Sequence, residues 1–368
     1  MKIIFAVFIF IFINTAQAAE FYEYTQSVRA LGMGGVRVHN EDDAAVMLWN
    51  PAALAYITGI NWTVFNLNAG INGMQIYNDI QAVGNINGID SLSSFYGKNV
   101  WVGAGGYSVM AFPYFGFGLY DNGYGAFRLQ DPAFPNMDIT VLNDWGAIMG
   151  GAIPLGGAGS LGLNVKRVTR YGGNTILGPS DLMTVTNTTI TNAITNEGIG
   201  YGLDLGYMFA PPVMGNPAIS LSWIDVGSTA FNKTKGTQAP SRIKDNLTLG
   251  ITSHGSLPGL GYATGLEYRH ITDQGEPLGK KIHLGLELSL AFLDVRAGFY
   301  QGYITYGLGM DLWLMRLDLA SYSVEKGAYP GQTQDERLQA ALTIEIGFDP
   351  SFKLIDLGGK KRKLKQRR

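Results

Sequence analysis

Strict alternation of apolar and polar residues is the feature that most constrains this chain. Every second residue of 282–290 is apolar, and the residues between them are small, singly charged or His283. The same period of two recurs in 201–209 and 338–348, and it is the period of a β-strand with one apolar face. In a soluble sandwich that face would point to a core and the polar face to water. Because the polar faces are mostly Gly, Ser, Thr and single charges, and not the Lys and Glu of a solvated surface, the pattern favours an apolar face turned outward.

Composition supports a membrane protein without spanning helices. The chain has 50 Gly, 12% aromatic residues and 15% charged residues, whereas soluble proteins carry about 25% charged residues. After the leader, no apolar run is long enough for a transmembrane helix. The remaining membrane architecture is a closed barrel, in which all backbone hydrogen bonds form between strands. We therefore predict an all-β transmembrane barrel of about 14 antiparallel strands with an N-terminal helical or irregular hatch in the lumen.

The first residues have the pattern of a secretory leader. Met1 and Lys2 precede an apolar core at 3–13 and an Ala16-Gln17-Ala18 site, which predicts a signal peptide at 1–18. The apolar core is shorter than the ~17 residues that a membrane-spanning helix needs. The absence of Cys excludes a lipoprotein anchor, a disulfide framework and a thiolate metal site.

Connections between the predicted strands alternate between tight and long. The strands are predicted at 60–69, 109–120, 124–130, 138–153, 160–170, 199–210, 217–228, 244–254, 260–270, 280–290, 293–300, 303–311, 314–325 and 337–348. Short periplasmic turns and long outer loops are typical of bacterial outer-membrane barrels. We therefore expect the barrel at 60–348 in the outer membrane of a Gram-negative bacterium, with both termini in the periplasm.

The longest connection carries a helical pattern. Apolar positions within 71–99 predict two short helices, either as a loop folded over the outer mouth or as a lid that contacts a ligand. Aromatic residues in and after this segment are candidates for ligand entry: Phe95, Tyr96, Phe112, Tyr114 and Phe115.

A non-strand stretch precedes the barrel, and we predict that 19–59 is a plug. A barrel of about fourteen strands is wider than its own side chains can fill, so water or a plug must occupy it. Buried charges are tolerated when they are paired, and the stretch offers Arg29, Arg37, Glu41, Asp42 and Asp43. The polar strand faces offer as lumen charges Lys166, Asp204, Glu267, Arg269, Glu287, Arg316 and Glu345. The alternative is that these charges line a wet pore.

Motifs for catalysis and cofactors are weak. The four His residues lie far apart in sequence, and the G-x-G-x-x-G match at 157–162 precedes a strand, not the helix that a phosphate site needs. We expect no metal site, no cofactor and no enzyme activity. Esterase turnover abolished by His283→Ala would contradict this expectation.

The C-terminal tail at 349–368 differs from the rest of the chain in charge. Its last part, 360–368, holds seven of the 27 basic residues, and without these and Lys2 the rest of the chain has 19 basic against 29 acidic residues. A basic run can bind nucleic acid, but export argues against that partner. We expect either a solvated periplasmic tail or a contact with an anionic polymer, a lipid headgroup or an envelope protein.

The plug segment resembles a known family. Ala-Leu-Gly-Met-Gly-Gly at 30–35, an acidic patch, and then Trp49, Asn50, Pro51 and Ala52 are similar to the hatch of the FadL-type long-chain fatty-acid transporter superfamily and its TraF-like and PorV-like branches. The 71–99 segment and the aromatics after it look closer to the TraF-like branch. The resemblance implies a helical hatch inside the barrel, and apolar ligands that leave through a lateral opening in the wall. The residues themselves add that Pro51 would fix a turn toward the first strand.

Two functions remain open from the sequence. One is passive uptake of hydrophobic small molecules such as fatty acids through a plugged barrel in outer-membrane lipid. The other is a non-transporting barrel that serves as a platform in a secretion, conjugation or envelope-assembly complex.

Overall fold

A single antiparallel sheet closes on itself to form the molecule. The computed structural model describes residues 21, 27–38, 43–73, 96–97, 99–131, 133–183, 194–312 and 314–348. Consecutive strands pair around the wall, and closure comes from the pairing of β1 with β15, the first strand with the last. No helix of the described part is both long and apolar enough to cross a membrane.

Strands make up most of the described chain. They are β1 (Ile60–Ile71), β2 (Asn99–Phe112), β3 (Phe115–Gln130), β4 (Asn136–Gly156), β5 (Gly159–Leu177), β6 (Glu197–Phe209), β7 (Ala218–Ile224), β8 (Phe231–Lys235), β9 (Asn246–Leu257), β10 (Leu260–Tyr268), β11 (Ile282–Ser289), β12 (Leu293–Tyr300), β13 (Tyr303–Leu312), β14 (Met315–Glu325) and β15 (Gln334–Phe348). The helical elements are α1 (Val28–Gly32), the 3₁₀-helices η1 (Ala44–Leu48) and η2 (Pro51–Tyr56), and short helices at Pro179–Met183 and Leu278–Lys281.

Two of these strands occupy one position in the wall. β7 and β8 both pair with β6, β7 through Leu205–Phe209 and β8 through Glu197–Gly200. Between them, Asp225, Gly227 and Ser228 have positive φ angles of 55°, 74° and 68°, which no extended strand allows. The barrel therefore has fourteen strand positions, and the prediction of about fourteen antiparallel strands is confirmed.

The apolar faces of the strands point away from the lumen. On β11, Leu284, Leu286 and Leu288 are 44%, 44% and 39% exposed, whereas His283 and Glu287 between them are 1% and 3% exposed. A soluble sandwich would show the reverse. The outward apolar face is the surface that a barrel presents to lipid.

The two ends of the barrel differ in their connections. Residues 113–114, 157–158 and 258–259 form turns at the end where β15 finishes, which we call the short-turn end. At the opposite end, which we call the long-loop end, lie residues 178–183, 194–196 and 269–281.

The predicted boundaries of the second and third strands are wrong. The predicted turn at Asp121-Asn122-Gly123 lies inside β3, where Asp121 pairs with Gly106 on one side and Trp145 on the other. Pairing with two neighbours overrides the local Asn-Gly turn signal. The chain turns instead at Pro113 and Tyr114, and β2 begins ten residues before the predicted strand. The total number of strands was still predicted correctly, because one predicted strand, 109–120, spans this turn and covers parts of both β2 and β3.

Other predictions fall partly outside the described residues. The predicted helices at 71–99 begin inside β1 and end in β2, and most of the intervening residues lie outside the described ranges, as do the leader and the basic tail. The predicted strand 217–228 stops at Ile224 because of the positive φ angles that follow.

Candidate functional site in the barrel lumen

Residues 28–38 and 43–57 lie against the inner faces of the wall strands. Each short helix begins at a residue whose side chain accepts a hydrogen bond from the first turn: Ser27 for α1, Asp43 for η1 and Asn50 for η2. Pro51 is the first residue of η2, where its missing N–H costs nothing. Asn50 and Pro51 therefore separate η1 from η2 and direct the chain toward β1.

Glycines in β5 and β6 allow the Asn50–Ala52 motif to touch the wall. A β-carbon on Gly206 would overlap the side-chain oxygen of Asn50, and one on Gly162 would overlap the backbone of Pro51 and Ala52. The amide of Asn50 donates to the carbonyl of Tyr207 at 3.2 Å. The alternating Gly of these strands thus reflects close contact with the plug segment.

Polar side chains of the same strands fix the segment further. The hydroxyl of Ser160 donates to the carbonyl of Ala52 at 3.0 Å, and the amide of Asn164 donates to the carbonyl of Met47 at 2.8 Å. Around these bonds the packing is apolar. The buried residues that surround η1 and η2 are Val109, Ala111, Tyr120, Ile148, Ala152, Val168, Met208, Ala218, Ile224, Phe231 and Ile243. We call the inner faces of β2–β8 the apolar side of the lumen.

Across the lumen, α1 and the turn after it rest on β11–β14. A β-carbon on Gly285 or Gly298 would overlap the backbone of Met33 and Gly34, and one on Gly307 would lie 2.9 Å from Cα of Gly32. The amide of Gly34 donates to Thr305 Oγ1 at 2.9 Å. Close backbone contact through wall glycines therefore recurs here.

This second contact is surrounded by ion pairs. Arg29 of α1 pairs with Glu287 at 2.6 Å, and Arg296 contacts the same carboxylate at 2.5 Å. The network continues from Arg296 to Asp318 at 2.8 Å and from Arg316 to Asp311 at 3.1 Å, and Arg316 also pairs with Asp294. We call the inner faces of β10–β15 the ionic side.

Of the remaining predicted hatch and lumen charges, some make contacts inside the lumen and one lies near an end of the barrel. The backbone N–H of Arg37 donates to Glu267 at 2.7 Å, and Glu267 pairs with Arg269 at 2.6 Å. The guanidinium of Arg37 lies 5.5 Å from the ring centre of Trp49. Glu345 is exposed near the short-turn end of β15. Glu41 and Asp42 lie outside the described residues.

Lys166 and Asp204 meet at the interrupted wall strand. Lys166 pairs with Asp204 at 2.8 Å and with Asp225 at 3.0 Å, and all three side chains are buried. Asp225 also accepts from Thr229 at 2.6 Å. Sequence reasoning missed Asp225 because it was placed inside a continuous strand, where its neighbour Gly227 was the only sign of a break.

Besides the ion pairs of Lys166, one more ion pair lies on the apolar side. Arg170 binds Asp144 through two bonds of 2.7 and 2.6 Å, donates to the carbonyl of Ser241 at 2.8 Å, and lies 5.0 Å from the ring centre of Phe231. The pair separates the cluster around η1 and η2 from a second apolar cluster near the long-loop end: Val100, Phe127, Leu129, Met137, Ile139, Leu177 and Leu182. Alternation alone identified neither cluster. It assigns polar residues to the lumen and apolar residues to the outer face, whereas β2–β5 also carry apolar residues that point inward.

The predicted entry aromatics do not form one group. Tyr96 forms a β-bridge with Leu129 near the long-loop end, whereas Phe112, Tyr114 and Phe115 lie at the β2–β3 turn of the short-turn end. These three residues therefore do not share one entry site with Tyr96, and the prediction grouped them because it misplaced the turn. Phe95 lies outside the described residues.

His283 faces the lumen, as its position in the alternating strand predicts. Its Nδ1 lies 2.9 Å from the carbonyl oxygen of Gly34, and its ring packs against Tyr300 at 4.9 Å between centres. Its contacts are therefore with the plug segment. In the described part of the chain, no group of three or more His, Asp or Glu side chains could hold a metal ion.

Before Ser27, the structure describes residue 21 alone. The ring of Phe21 stacks on His270, with ring centres 3.9 Å apart, at the long-loop end. The placement of both termini in the periplasm stays a prediction.

A closed barrel with an apolar outer face and an occupied lumen defines an outer-membrane type of β-barrel. The sequence matches no family model and no curated relative. Among solved structures, the deltaS2S3 mutant of TodX, a monoaromatic hydrocarbon channel, superposes with a TM-score of 0.51 at 13% identity, covering 87% of this chain and 98% of that one. This likeness confirms the barrel fold that the sequence predicted.

Two further solved structures superpose on this chain with lower TM-scores. The toluene transporter TbuX of Ralstonia pickettii has a TM-score of 0.49 at 12% identity and covers 87% of this chain and 97% of its own. A FadL homologue of Pseudomonas aeruginosa has a TM-score of 0.47 at 11% identity and covers 89% of this chain and 99% of its own.

Proposed function

We propose that this chain is an outer-membrane barrel for the passive uptake of hydrophobic small molecules, with fatty acids as one candidate class and residues 19–59 as its hatch. The short-turn end would face the periplasm. The similarity in fold to TodX, a monoaromatic hydrocarbon channel, supports this class of function and favours a channel over an enzyme.

The observation that carries this proposal is the apolar side of the lumen, which reaches the interrupted wall strand. Ile224 and Phe231 flank the interruption and belong to the cluster around η1 and η2. Across the interruption, the backbone N–H of Val226 donates to the carbonyl of Leu203 at 2.8 Å. Loosening this part of the wall would give an apolar molecule a route from the lumen into the membrane.

Uptake into cells that lack their own transporter tests the proposal. Labelled oleate and labelled toluene would be supplied to cells that express the full chain. We expect Ile224→Gln to reduce uptake by roughly tenfold, because a polar group on an apolar path costs about 1–3 kcal/mol. Ile224→Leu keeps the site apolar and serves as the matched control. Equal uptake by cells with and without the protein would contradict the proposal.

The Arg170–Asp144 pair favours a second candidate, because it crosses the apolar side between the two clusters. A continuous apolar path is not needed if the barrel is a platform for a secretion, conjugation or envelope-assembly complex. A stable envelope protein that co-purifies, together with no uptake of either probe, would favour this alternative.

A further inference from the structure

Arginines that face the lumen are held by acidic side chains. Each of the following pairs has an N–O distance of 2.6 to 3.1 Å: Arg29–Glu287, Arg170–Asp144, Arg269–Glu267, Arg296–Asp318, Arg316–Asp311 and Arg337–Asp335. Desolvated charges are stable only when they are paired in this way.

Arg167 is different because it faces outward. Its neighbours in β5, Lys166 and Val168, are buried in the lumen, so the side chain of Arg167 lies on the outer wall with Val165. Its guanidinium lies 5.7 Å from the ring centre of Trp145, and Nη1 is 3.4 Å from Thr169 Oγ1. Within the described ranges, no acidic side chain forms an ion pair with it. A cation on this surface needs a counter-ion from its surroundings.

Arg167 also marks a border on the outer wall. Toward the short-turn end, the outward residues of β5 are Leu161, Leu163 and Val165, each more than 40% exposed. On the long-loop side of Arg167, the next exposed residue of β5 is Tyr171, and the exposed Tyr201 pairs with Arg167 in register. Aromatic and basic residues gather where the hydrocarbon of a membrane meets the headgroups. Arg167 therefore lies at headgroup level.

Beside Arg167 the outer wall is concave. A groove of about 720 Å³ has Phe117, Leu119 and Met149 in its lining, and Arg167 and Tyr201 also line it. Ala147, which pairs with Arg167 in register, provides part of the space because its side chain is small. The groove is thus apolar along its length and positively charged at one edge.

We propose that this groove binds a phosphorylated membrane lipid, with Arg167 on the headgroup phosphate and an acyl chain over Ala147. A guanidinium can bind two phosphate oxygens at once, which favours this headgroup over a zwitterionic one whose own cation competes. Trp145 holds the guanidinium from one side, and Phe117 and Met149 hold the chain. The site is outside the lumen and does not depend on uptake.

Native mass spectrometry of the full chain in detergent tests this proposal. The protein would be titrated with dioleoylphosphatidylglycerol and, separately, with dioleoylphosphatidylcholine. We expect tighter retention of the phosphatidylglycerol, and we expect Arg167→Gln to weaken it by about fivefold, the factor for one cation at a lipid headgroup. Arg167→Lys should lie between the two. Arg128→Gln, on the loop-end part of β3, is the matched control and should change nothing.

A second variant tests the groove without changing the charge. Ala147→Trp would fill the space beside Arg167 and should weaken retention of phosphatidylglycerol while Arg167 remains. Inorganic phosphate should not compete at millimolar concentration if the acyl chain is needed. Equal retention of both lipids with no effect of Arg167→Gln would overturn the proposal, and so would full displacement by phosphate.

Discussion

The apolar and ionic sides of the lumen hold two parts of one plug segment by different means. On the apolar side, η1 and η2 contact β2–β6 through close packing against Gly162 and Gly206. On the ionic side, α1 contacts β12–β15, and Arg29 joins the network around Glu287. Wall glycines permit close contact on both sides, so the difference lies in what surrounds that contact. Packing depends on shape, whereas ion pairs depend on every charge having its partner.

The largest effect is expected from Glu287→Gln, which removes the shared partner of Arg29 and Arg296. The buried Arg296 and the partly exposed Arg29 would lose a carboxylate that is itself buried, and removing one partner of a buried ion pair costs about 3–5 kcal/mol. Urea unfolding of the protein in lipid, followed by Trp fluorescence, measures the loss.

Glu197→Gln is the matched control for this variant. Glu197 pairs with Lys235 at 2.7 Å on the surface, where Lys235 is 74% exposed. Such a pair contributes about 0–1 kcal/mol. If the two variants lost the same free energy of unfolding, the ionic side would depend on ion pairing no more than the surface does.

A smaller effect is expected from Gly206→Val, which tests the apolar side. The new side chain would overlap Asn50, and overpacking costs about 1–3 kcal/mol. Because the chain has no Cys, a single Cys at Ala53 or Ala30 reports local exposure through maleimide labelling. Labelling should rise at position 53 but not at position 30, and Glu287→Gln should give the opposite pattern.

Gly125→Val controls for adding a valine to a wall strand, since no heavy atom lies within 4 Å of a β-carbon built on Gly125. It should leave labelling at both positions unchanged. If either variant exposed both positions equally, the plug segment would move as one body and the two-sided account would fail.

The smallest effect is expected from Asn50→Ala. Loss of a helix N-cap costs about 1 kcal/mol, and the bond to Tyr207 is lost as well. Labelling at position 53 should rise slightly, by less than in Gly206→Val. Asn174→Ala, which removes an exposed hydrogen bond to Thr140, is the control. If it raised labelling at position 53 as much as Asn50→Ala does, Asn50 would have no specific role in holding the plug segment.

Sequence reasoning predicted the ionic side better than the apolar side. Period-two alternation placed Glu267, Glu287 and Arg316 on inner faces, because on β10–β14 charged residues alternate with lipid-facing ones. On β2–β5 the inner face is itself apolar around η1 and η2, so alternation weakens and the turn at Pro113 was missed. The break at Asp225 depends on tertiary contacts with Lys166, which no local pattern encodes. The contacts of Gly162 and Gly206 could not be predicted, because they depend on which segment packs against these glycines. Composition shows only that the chain is rich in glycine.

Single-channel conductance in a planar bilayer tests the central claim most directly, by comparing the full chain with a variant that lacks residues 20–55. If the plug segment fills the lumen between the two sides, the full chain should conduct poorly and the deletion variant should open large, steady channels, since about fourteen strands enclose more space than their side chains fill. Conductance that is the same with and without residues 20–55 would contradict the account.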